Sequence, residues 1–309
     1  MTERVIKGGG PVALPSTERV VATAMAAGAG YNTEAVTWPI GRGHRRKRSP
    51  NRAAIRVLSR CRRRWLRKHG KSHPDLAAMG KVITACGRGR LRRRCLHLVC
   101  PRCAHALQRL LVRLFGQMSA RTPKEGWVTV SIILPALNPG GEIDFDAERE
   151  RYATLLSRVG ITLGVFGLDA SWNEDHRHTL PKAKRFADHT CVHLYGLALA
   201  GEVEAGEAEL RKLAPRTDAI PRPVHVEPWD GGLAAVGYAL KFEFARRQTI
   251  LKKDPRRVNL VRDTRDRFLT VAQQIQAVRA LERAGLTGRI VLLGLRFEPT
   301  PAGHIRLVH

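Results

Sequence analysis

Four cysteines in the first third of the chain have the spacing of metal ligands. They are separated by eight, four and two residues: Cys86, Cys95, Cys100 and Cys103. The short spacing of the last pair lets two thiolates bind one tetrahedral zinc ion, and four thiolates leave no open position for water. The pattern therefore predicts a structural zinc site. His97 and His105 are near enough to replace one thiolate, and buried thiols with one redox-active pair are the alternative.

A second group of candidate residues lies in two apolar segments farther along the chain. Because alternate residues of a strand share a face, His193 and Tyr195 of the run at 191–200 point the same way. Asp169, in the run at 165–172, offers a carboxylate that would complete a site for a metal ion or a phosphate group. Taken alone, a strand histidine is more typical of packing than of ligation, and Asp169 alone is typical of a turn.

Tyr238 and Lys241 are a third candidate pair, on a helix predicted at 237–247. Residues three apart share a helix face, so the ammonium group would lie beside the phenol. A phenol can attack phosphorus, and a lysine can stabilise the phenolate or the charge that develops on the phosphorane. The alternative is an amphipathic helix that packs Tyr238 and Phe242 into the core.

These side chains need strands and helices to position them, and the hydrophobic pattern predicts both. Strands are predicted by short β-rich runs at 127–134, 165–172, 191–200, 289–297 and 304–308. Helices are predicted by apolar periodicity at 51–68, 107–115, 146–159, 237–247 and 265–284. Strands and helices mix without a βαβ rhythm, which favours an α+β fold with an antiparallel sheet, helices and a small basic zinc-binding module.

The predicted organisation has four parts. Residues 1–50 form a poorly ordered basic arm, and residues 51–121 contain a basic helix and the four-cysteine module. Residues 122–250 form the core that carries the candidate catalytic or DNA-binding residues. Residues 251–309 contribute a helix and two strands.

The positive charge is concentrated in one stretch. The chain has 54 basic and 27 acidic residues, and residues 41–121 hold 24 of the basic residues with Asp75 as the single acid. Such a field attracts polyanions and predicts a nucleic-acid partner bound through phosphate contacts. The predicted contacts are Arg45, Arg46, Lys47, Arg48, Arg62, Arg63, Arg64, Arg92, Arg93 and Arg94. The sequence has neither a long apolar span nor a secretory signal, so it predicts a soluble cytoplasmic protein without a membrane partner.

The order of these segments resembles the rolling-circle replication initiators and related transposases of the HUH endonuclease superfamily. The resemblance covers residues 86–247 and is carried by the cysteine segment, the strand at 127–131, Gly167-Leu168-Asp169, Val192-His193-Leu194-Tyr195 and Tyr238 with Lys241. In that family a histidine-hydrophobic-histidine strand and a neighbouring acidic residue bind a divalent metal. A tyrosine on a helix then nicks one DNA strand and keeps a 5′-phosphotyrosine.

Carried over to this chain, the resemblance implies Mg²⁺ or Mn²⁺ bound by Asp169, His193 and Tyr195. Tyr238 would be the nucleophile, and Lys241 the lysine that follows it. Tyr195 stands where the family has its second histidine, and a neutral phenol is a poorer metal ligand than imidazole. Phe242 stands where many members have another tyrosine.

The prediction is a DNA-binding replication initiation protein of a plasmid or mobile element that nicks single-stranded DNA. Two other functions stay open. One is a degenerate relative that binds DNA without chemistry, and the other is a basic zinc-ribbon protein that binds RNA. No GxxxxGK[ST] phosphate loop occurs in the sequence, which argues against an attached ATP-driven helicase.

Overall fold

The computed structural model of this chain describes residue 21 and the ranges 37–38, 47–48, 52–87, 94–120, 123–135, 142–175, 178–241, 243–253, 259–299 and 305–309. Within these residues the chain has an α+β fold, as the sequence predicts. The predicted arm at 1–50 lies outside the described residues apart from residue 21 and two short strands.

The helices are α1 (Arg52–His69), α2 (Pro74–Ala85), α3 (Pro101–Ser119), α4 (Phe145–Arg158), α5 (Ala200–Leu213), α6 (Ala234–Ala239) and α7 (Val271–Arg283). The strands are β1 (Thr37–Trp38), β2 (Lys47–Arg48), β3 (Trp127–Ile133), β4 (Gly164–Glu174), β5 (His189–Leu199), β6 (Val224–Pro228), β7 (Ala245–Lys252), β8 (Val261–Arg267), β9 (Ile290–Leu293), β10 (Arg296–Pro299) and β11 (Ile305–Val308). None of the described helices is both long enough and apolar enough to cross a bilayer.

Helix α1 packs against α2 and α3. The four cysteines lie at the end of α2, in the segment before α3 and in the first turn of α3. Leu66 of α1 and Leu76 of α2 are fully buried. Helix α3 also packs against the sheet, because Phe115 makes edge-to-face contacts with Trp127 of β3 at 5.2 Å and with Trp229 at 5.7 Å between ring centroids. The basic module therefore shares one continuous hydrophobic core with the sheet.

Seven strands form the main sheet: six follow the order β6-β3-β5-β4-β7-β8, and β9 lies outside this order and pairs with β4. Strand β9 pairs with the first half of β4, and β7 pairs with its second half. The β4–β7 ladder is parallel and the other ladders of this sheet are antiparallel. The sheet is therefore mixed, which corrects the prediction of an antiparallel sheet at this one ladder. The cause is the path of the chain, since α6 crosses a sheet face and β7 then runs in the direction of β4.

The two faces of the sheet differ in chemistry because successive side chains point to opposite sides. Val130, Leu168 and Leu194 point into the core, and each is fully buried. The other face carries Asp169 directly opposite His193. We call this second side the polar face.

The predicted strands at 127–134, 165–172 and 191–200 are confirmed as β3, β4 and β5, and the helix at 146–159 is confirmed as α4. The helix predicted at 237–247 is wrong, because α6 ends at Ala239 and β7 begins at Ala245. The single strand predicted at 289–297 is divided into β9 and β10 at Gly294, which has a positive φ of 57°.

Candidate functional site

The four cysteines form a compact cluster with the geometry of a zinc centre. Their sulfur atoms all lie within 4.8 Å of one another. Cys86 Sγ and Cys95 Sγ are each 3.6 Å from Cys103 Sγ, and none of the four is in a disulfide. Tetrahedral zinc with Zn–S bonds of about 2.3 Å places its sulfur ligands about 3.8 Å apart, so the cluster fits the ion.

Helix ends position these four thiols. Cys86 follows the last turn of α2, and Cys100 is the N-cap of α3. The amide of Cys103 donates to the carbonyl of Cys100, which folds the Cys100–Cys103 half of the site into the first turn of α3. Arg102 Nη1 donates to the Cys86 carbonyl at 3.0 Å and so joins the two halves. Because such contacts orient metal ligands, the cluster is organised by the protein around it.

The two histidines near the cysteines are not part of the cluster. His97 Nδ1 lies 2.8 Å from Glu282 Oε2 of α7, and this hydrogen bond raises the pKa of His97. Burial lowers the pKa of His105 to about 4, and the charges of Arg109 and Arg94 add to the effect. Among the residues that the structure describes, the group that could hold a metal ion consists of the four cysteines.

On the polar face, the side chains of the predicted catalytic pair meet the predicted acid. Lys241 Nζ lies 2.6 Å from Asp169 Oδ2 and 3.5 Å from the hydroxyl oxygen of Tyr238. The ammonium group also lies 4.9 Å from the centre of the Tyr238 ring. Tyr238 is in the last turn of α6, whereas Lys241 lies just beyond the end of that helix. A turn bond from the Lys241 amide to the Tyr238 carbonyl keeps the two residues together.

The remaining predicted residues line the same face. The rings of Tyr195 and Tyr238 make an edge-to-face contact with centroids 5.1 Å apart, and the His193 ring lies 6.1 Å from that of Tyr195. His193 Nε2 is 2.7 Å from the hydroxyl of Ser131 on β3. The structure thus brings together all five residues predicted for this site, which we call the sheet-face site: Asp169, His193, Tyr195, Tyr238 and Lys241.

Burial and charge set the protonation states of the sheet-face site. Burial raises the pKa of Asp169, but the charges of Lys241, Arg247 and Arg289 outweigh it, and the pKa lies below its ordinary value. Burial lowers the pKa of His193 to about 3, which makes the imidazole neutral at physiological pH. Burial and the neighbouring Tyr238 raise the pKa of Tyr195 to about 12.

Lys241 keeps its charge in this environment. Burial lowers its pKa, but attraction by Asp169 and Tyr238 outweighs burial, and the net pKa lies above the ordinary value. A cation is therefore held beside a phenol and against a buried carboxylate. This arrangement can stabilise a phenolate or a phosphate group that approaches the polar face.

A divalent cation fits the sheet-face site poorly. Mg²⁺ and Mn²⁺ prefer several oxygen ligands, whereas this site offers one carboxylate whose charge Lys241 already balances. Asp169 Oδ1 and His193 Nδ1 are buried without a hydrogen-bond partner in the described part of the chain, and two such atoms make an incomplete ligand set. These residues therefore do not support the predicted Mg²⁺ or Mn²⁺.

Sequence reasoning missed three residues that shape the sheet-face site: Arg289, Ser131 and Arg247 of β7, whose charge helps to lower the pKa of Asp169. Arg289 is buried in the gap that β9 and β7 leave along β4, where Nε donates to the Leu168 carbonyl at 2.7 Å and Nη2 donates to the Lys241 carbonyl at 2.9 Å. Ser131 supplies the hydroxyl next to His193. The available signals were a charged residue at the start of the apolar run Ile290–Leu293 and a polar residue within β3.

No protein-family model, no curated protein and no solved structure matches this chain. The resemblance to the HUH superfamily stays a prediction from the sequence.

The predicted nucleic-acid contacts lie in different environments. Arg62 turns inward, where burial lowers its pKa and the charge of Glu243 opposes that shift. Arg63 is half-buried and donates to the Ser59 carbonyl, while Arg64 is exposed. Arg94 is exposed and donates to the Arg102 carbonyl. Lys47 and Arg48 form β2, and four predicted contacts lie outside the described residues: Arg45, Arg46, Arg92 and Arg93.

One exposed row of cations on α1 includes the predicted contact Arg64 and three residues that the sequence did not single out as contacts. It consists of residues four apart on one side of the helix: Arg56, Arg60, Arg64 and Lys68. We call this row the α1 ridge. It extends for about 18 Å along the helix at ~1.5 Å per residue. Its regular spacing suits contacts with successive phosphates of a nucleic-acid backbone.

Proposed function

We propose that this protein binds single-stranded DNA and cleaves it through Tyr238, as a strand-nicking protein of the replication-initiator type. The observation that carries the proposal is the position of Lys241, which lies within 3.5 Å of the Tyr238 hydroxyl and 2.6 Å from Asp169. A tyrosine activated for attack on phosphorus needs a neighbouring cation to stabilise its phenolate form.

The reaction is a transfer of the phosphoryl group from one oxygen to another. Tyr238 Oη forms a bond to phosphorus, and the bond between phosphorus and the 3′ oxygen breaks. The phenol loses its proton to solvent, and the leaving 3′ oxygen takes up a proton from solvent. Asp169 is a poor proton acceptor because its pKa is lowered, so its role is to hold Lys241 in place.

The charge that develops on the phosphorane is stabilised by cations of the chain itself. Lys241 is the nearest to the nucleophile. Arg247 of β7 is also close: burial lowers the pKa of its guanidinium, but attraction by Asp169 and Tyr238 outweighs burial and raises it. His193 is neutral and accepts or donates a hydrogen bond with Ser131. The proposed reaction involves no divalent metal, since the sheet-face site holds too few ligands for one.

DNA affinity in this proposal comes from the helices around the zinc centre. The α1 ridge supplies phosphate contacts, and the four-cysteine cluster joins the ends of α2 and α3, against which α1 packs. These contacts position the strand and carry no base specificity.

The test is the formation of a covalent complex on labelled single-stranded oligonucleotides, detected as a shifted band on a denaturing gel. Wild-type protein should give the band, and Tyr238→Phe should abolish it. Tyr195→Phe is the matched control, because it removes the neighbouring hydroxyl and should keep the band. The band should persist in EDTA at a concentration too low to strip the zinc. If none of a broad set of oligonucleotides gives an adduct, with or without added Mg²⁺ or Mn²⁺, strand nicking by this chain is refuted.

A second function, DNA binding without chemistry, is favoured by one specific observation. Tyr195 lies where the second metal-binding histidine is expected, and Lys241 neutralises the only carboxylate of the sheet-face site. This function predicts salt-sensitive binding of DNA with no adduct from any variant. Competition between structured RNA and single-stranded DNA at matched salt separates both functions from an RNA-binding role.

A further inference from the structure

A pocket that the proposed chemistry does not use opens at the far end of β4. It has a volume of about 390 Å³ and lies between the end of β4, the start of β5 and the first turn of α7. Apart from Ala272, its lining residues are polar or aromatic: Trp172, Asn173, Glu174, Asp188, His189, Thr190, Gln273 and Gln276. The two carboxylates already have partners, since Glu174 pairs with Arg246 and Asp188 accepts from the Asp175 amide. Pockets that hold small ligands range upward from about 300 Å³, so this one has room for a single planar ring system.

Several lining side chains form hydrogen bonds with one another. Trp172 Nε1 donates to Gln276 Oε1 at 3.0 Å, and Gln273 Nε2 donates to Glu174 Oε1 at 3.0 Å. Asn173 Nδ2 lies 3.5 Å from His189 Nε2, which is a long contact that a ligand can replace. Side-chain amides present a donor and an acceptor in one plane, which is the pattern that matches the edge of a nucleobase.

An exposed aromatic side chain and two cations come just before α7 in the sequence, the helix whose first turn lines this pocket. Phe268 is 96% exposed and lies two residues before Thr270, the N-cap of the helix whose first turn lines the pocket. Arg265 and Arg267 of the preceding strand β8 are also exposed. An aromatic face flanked by cations is the surface on which single-stranded nucleic acids stack their bases.

The pocket and the sheet-face site are on the same strand. Trp172 and Glu174 bond the glutamines of α7 and alternate with Asp169 along β4, so this part of the pocket lies on the face of the sheet opposite the polar face. Asn173 projects from the polar face about 13 Å from Asp169 at ~3.3 Å per residue, so a strand of nucleic acid that reaches both places has to pass over the end of β4.

We propose that this pocket binds one unpaired base of a single-stranded nucleic acid and that Phe268 stacks on that base or on its neighbour. This inference rests on the proposed function for its ligand class. It adds a base-recognition site at a distance from the nucleotide that is cut.

The experiment is an abasic scan measured by fluorescence anisotropy. One position at a time of a labelled oligonucleotide is replaced by an abasic sugar, and affinity is measured for wild-type protein, Phe268→Ala, Phe268→Trp and Asn173→Ala. In the wild type, loss of the base at one or two adjacent positions should weaken binding about tenfold. Phe268→Ala should flatten the scan at those positions, and Phe268→Trp should restore it. Asn173→Ala should change which base is preferred there.

The outcomes separate this inference from the proposed function. Tight binding with a flat scan, or a scan that Phe268→Ala leaves unchanged, overturns the base pocket while the DNA-binding function stands. A position-dependent scan without any Tyr238 adduct supports the pocket and refutes the nicking chemistry. If no oligonucleotide binds even at low salt, both proposals fail. Because Phe268 is almost fully exposed, Phe268→Ala should fold like the wild type, which a melting curve checks.

Discussion

At the scale of single residues, the sheet-face site is governed by the charge balance around Asp169. This carboxylate is 2% exposed, and Lys241, Arg247 and Arg289 all lower its pKa against the effect of burial. A buried carboxylate without such partners would bind a proton instead of keeping its charge. Burial keeps His193 neutral by lowering its pKa, and Arg247 and Lys241 add to this effect because they disfavour a further positive charge beside them. Removing one cation therefore affects stability as well as chemistry.

Lys241→Ala should destabilise the fold by about 3 kcal/mol, because it removes a charged partner of a buried carboxylate. The matched control is Lys252→Ala, which breaks a 3.9 Å ion pair with Asp263 between largely exposed side chains and should cost less than about 0.5 kcal/mol. Urea unfolding of each variant gives both values. Adding Asp169→Asn to Lys241→Ala should recover part of the loss. If both lysine variants lower the unfolding free energy equally, the buried ion pair stabilises the fold no more than an exposed one.

His193 should make the protein sensitive to acid. Its pKa is about 3 in the folded chain and about 6.5 when unfolded, so only the unfolded chain takes up the proton as pH falls below about 6.5. The unfolding free energy is therefore unaffected by this residue above pH 7. It falls by about 2 kcal/mol between pH 7 and pH 5 and continues to fall toward pH 3. Urea midpoints of wild type and His193→Asn at pH 7 and pH 5 measure the effect. The variant should lose about 2 kcal/mol less than the wild type over this interval, and parallel losses would contradict the assignment.

At the scale of elements, the sequence predicts what the hydrophobic pattern determines. Strands β3, β4 and β5 read as apolar runs because one of their faces is in the core, and α4 shows helical periodicity for the same reason. Strand β8 was missed because five of its seven residues are charged, as suits an exposed edge strand. The end of α6 was missed because the pattern at 237–247 fits a helix, whereas pairing of β7 with β4 overrides that local preference.

The close approach of α6 to β4 requires Gly167. A Cβ placed there would lie 2.1 Å from the Ala239 carbonyl oxygen, so Gly167→Ala must push the end of α6 away from the polar face. We expect a loss of about 2 kcal/mol in unfolding free energy and a large fall in any Tyr238-dependent adduct.

The matched control for this prediction is Gly201→Ala in α5, where an added Cβ meets no atom within 4 Å. Alanine is a better helix former than glycine, so this variant should be as stable as the wild type or up to about 1 kcal/mol more stable. Thermal melts of the two variants give the comparison. If both variants melt like the wild type, the tight contact between α6 and β4 is not a requirement of the fold.

At the scale of the whole molecule, the four-cysteine cluster is built into the same core as the sheet. His97 in the cysteine loop bonds Glu282 of α7, and Asp75 of α2 forms a 2.7 Å ion pair with Arg279 of that helix. The cysteine spacing predicted the cluster itself because ligand chemistry is local in sequence. It could not predict these links to α7, which join residues about 200 positions apart and follow only from tertiary packing.

If the cluster binds zinc, as its geometry predicts, loss of the ion should destabilise the whole molecule. Cys95→Ser removes one ligand and should lower both the bound zinc, which we expect at one ion per chain, and the melting temperature by several degrees. Cys61→Ser is the matched control, because Cys61 is exposed on α1 and outside the cluster. Metal analysis with a thermal melt measures both quantities. A Cys95→Ser protein that keeps its zinc and its melting temperature would show that the cluster is only a set of packed thiols.

The positive charge of the chain is unevenly distributed, and the α1 ridge is the exposed part of it on α1. If the ridge contacts phosphates, its removal should change the salt dependence of binding. Each lysine or arginine that contacts a phosphate of a single strand adds about 0.7 to the slope of log affinity against log salt concentration. Replacing Arg56, Arg60 and Arg64 with glutamine should therefore reduce this slope by about 2 and weaken binding at low salt. Anisotropy titrations of one oligonucleotide at several salt concentrations give the slope.

The control removes the same amount of charge from elsewhere. It replaces with glutamine three arginines that each form an exposed or half-exposed ion pair with a nearby acidic residue: Arg149, Arg211 and Arg306. If net charge alone attracted the polyanion, both triple variants would lose affinity equally and neither would change the slope much. If the α1 ridge contacts phosphates directly, only its own variant changes the slope, because counterions are released only where a cation meets the backbone. Equal slopes in the two variants would therefore remove α1 from the interface.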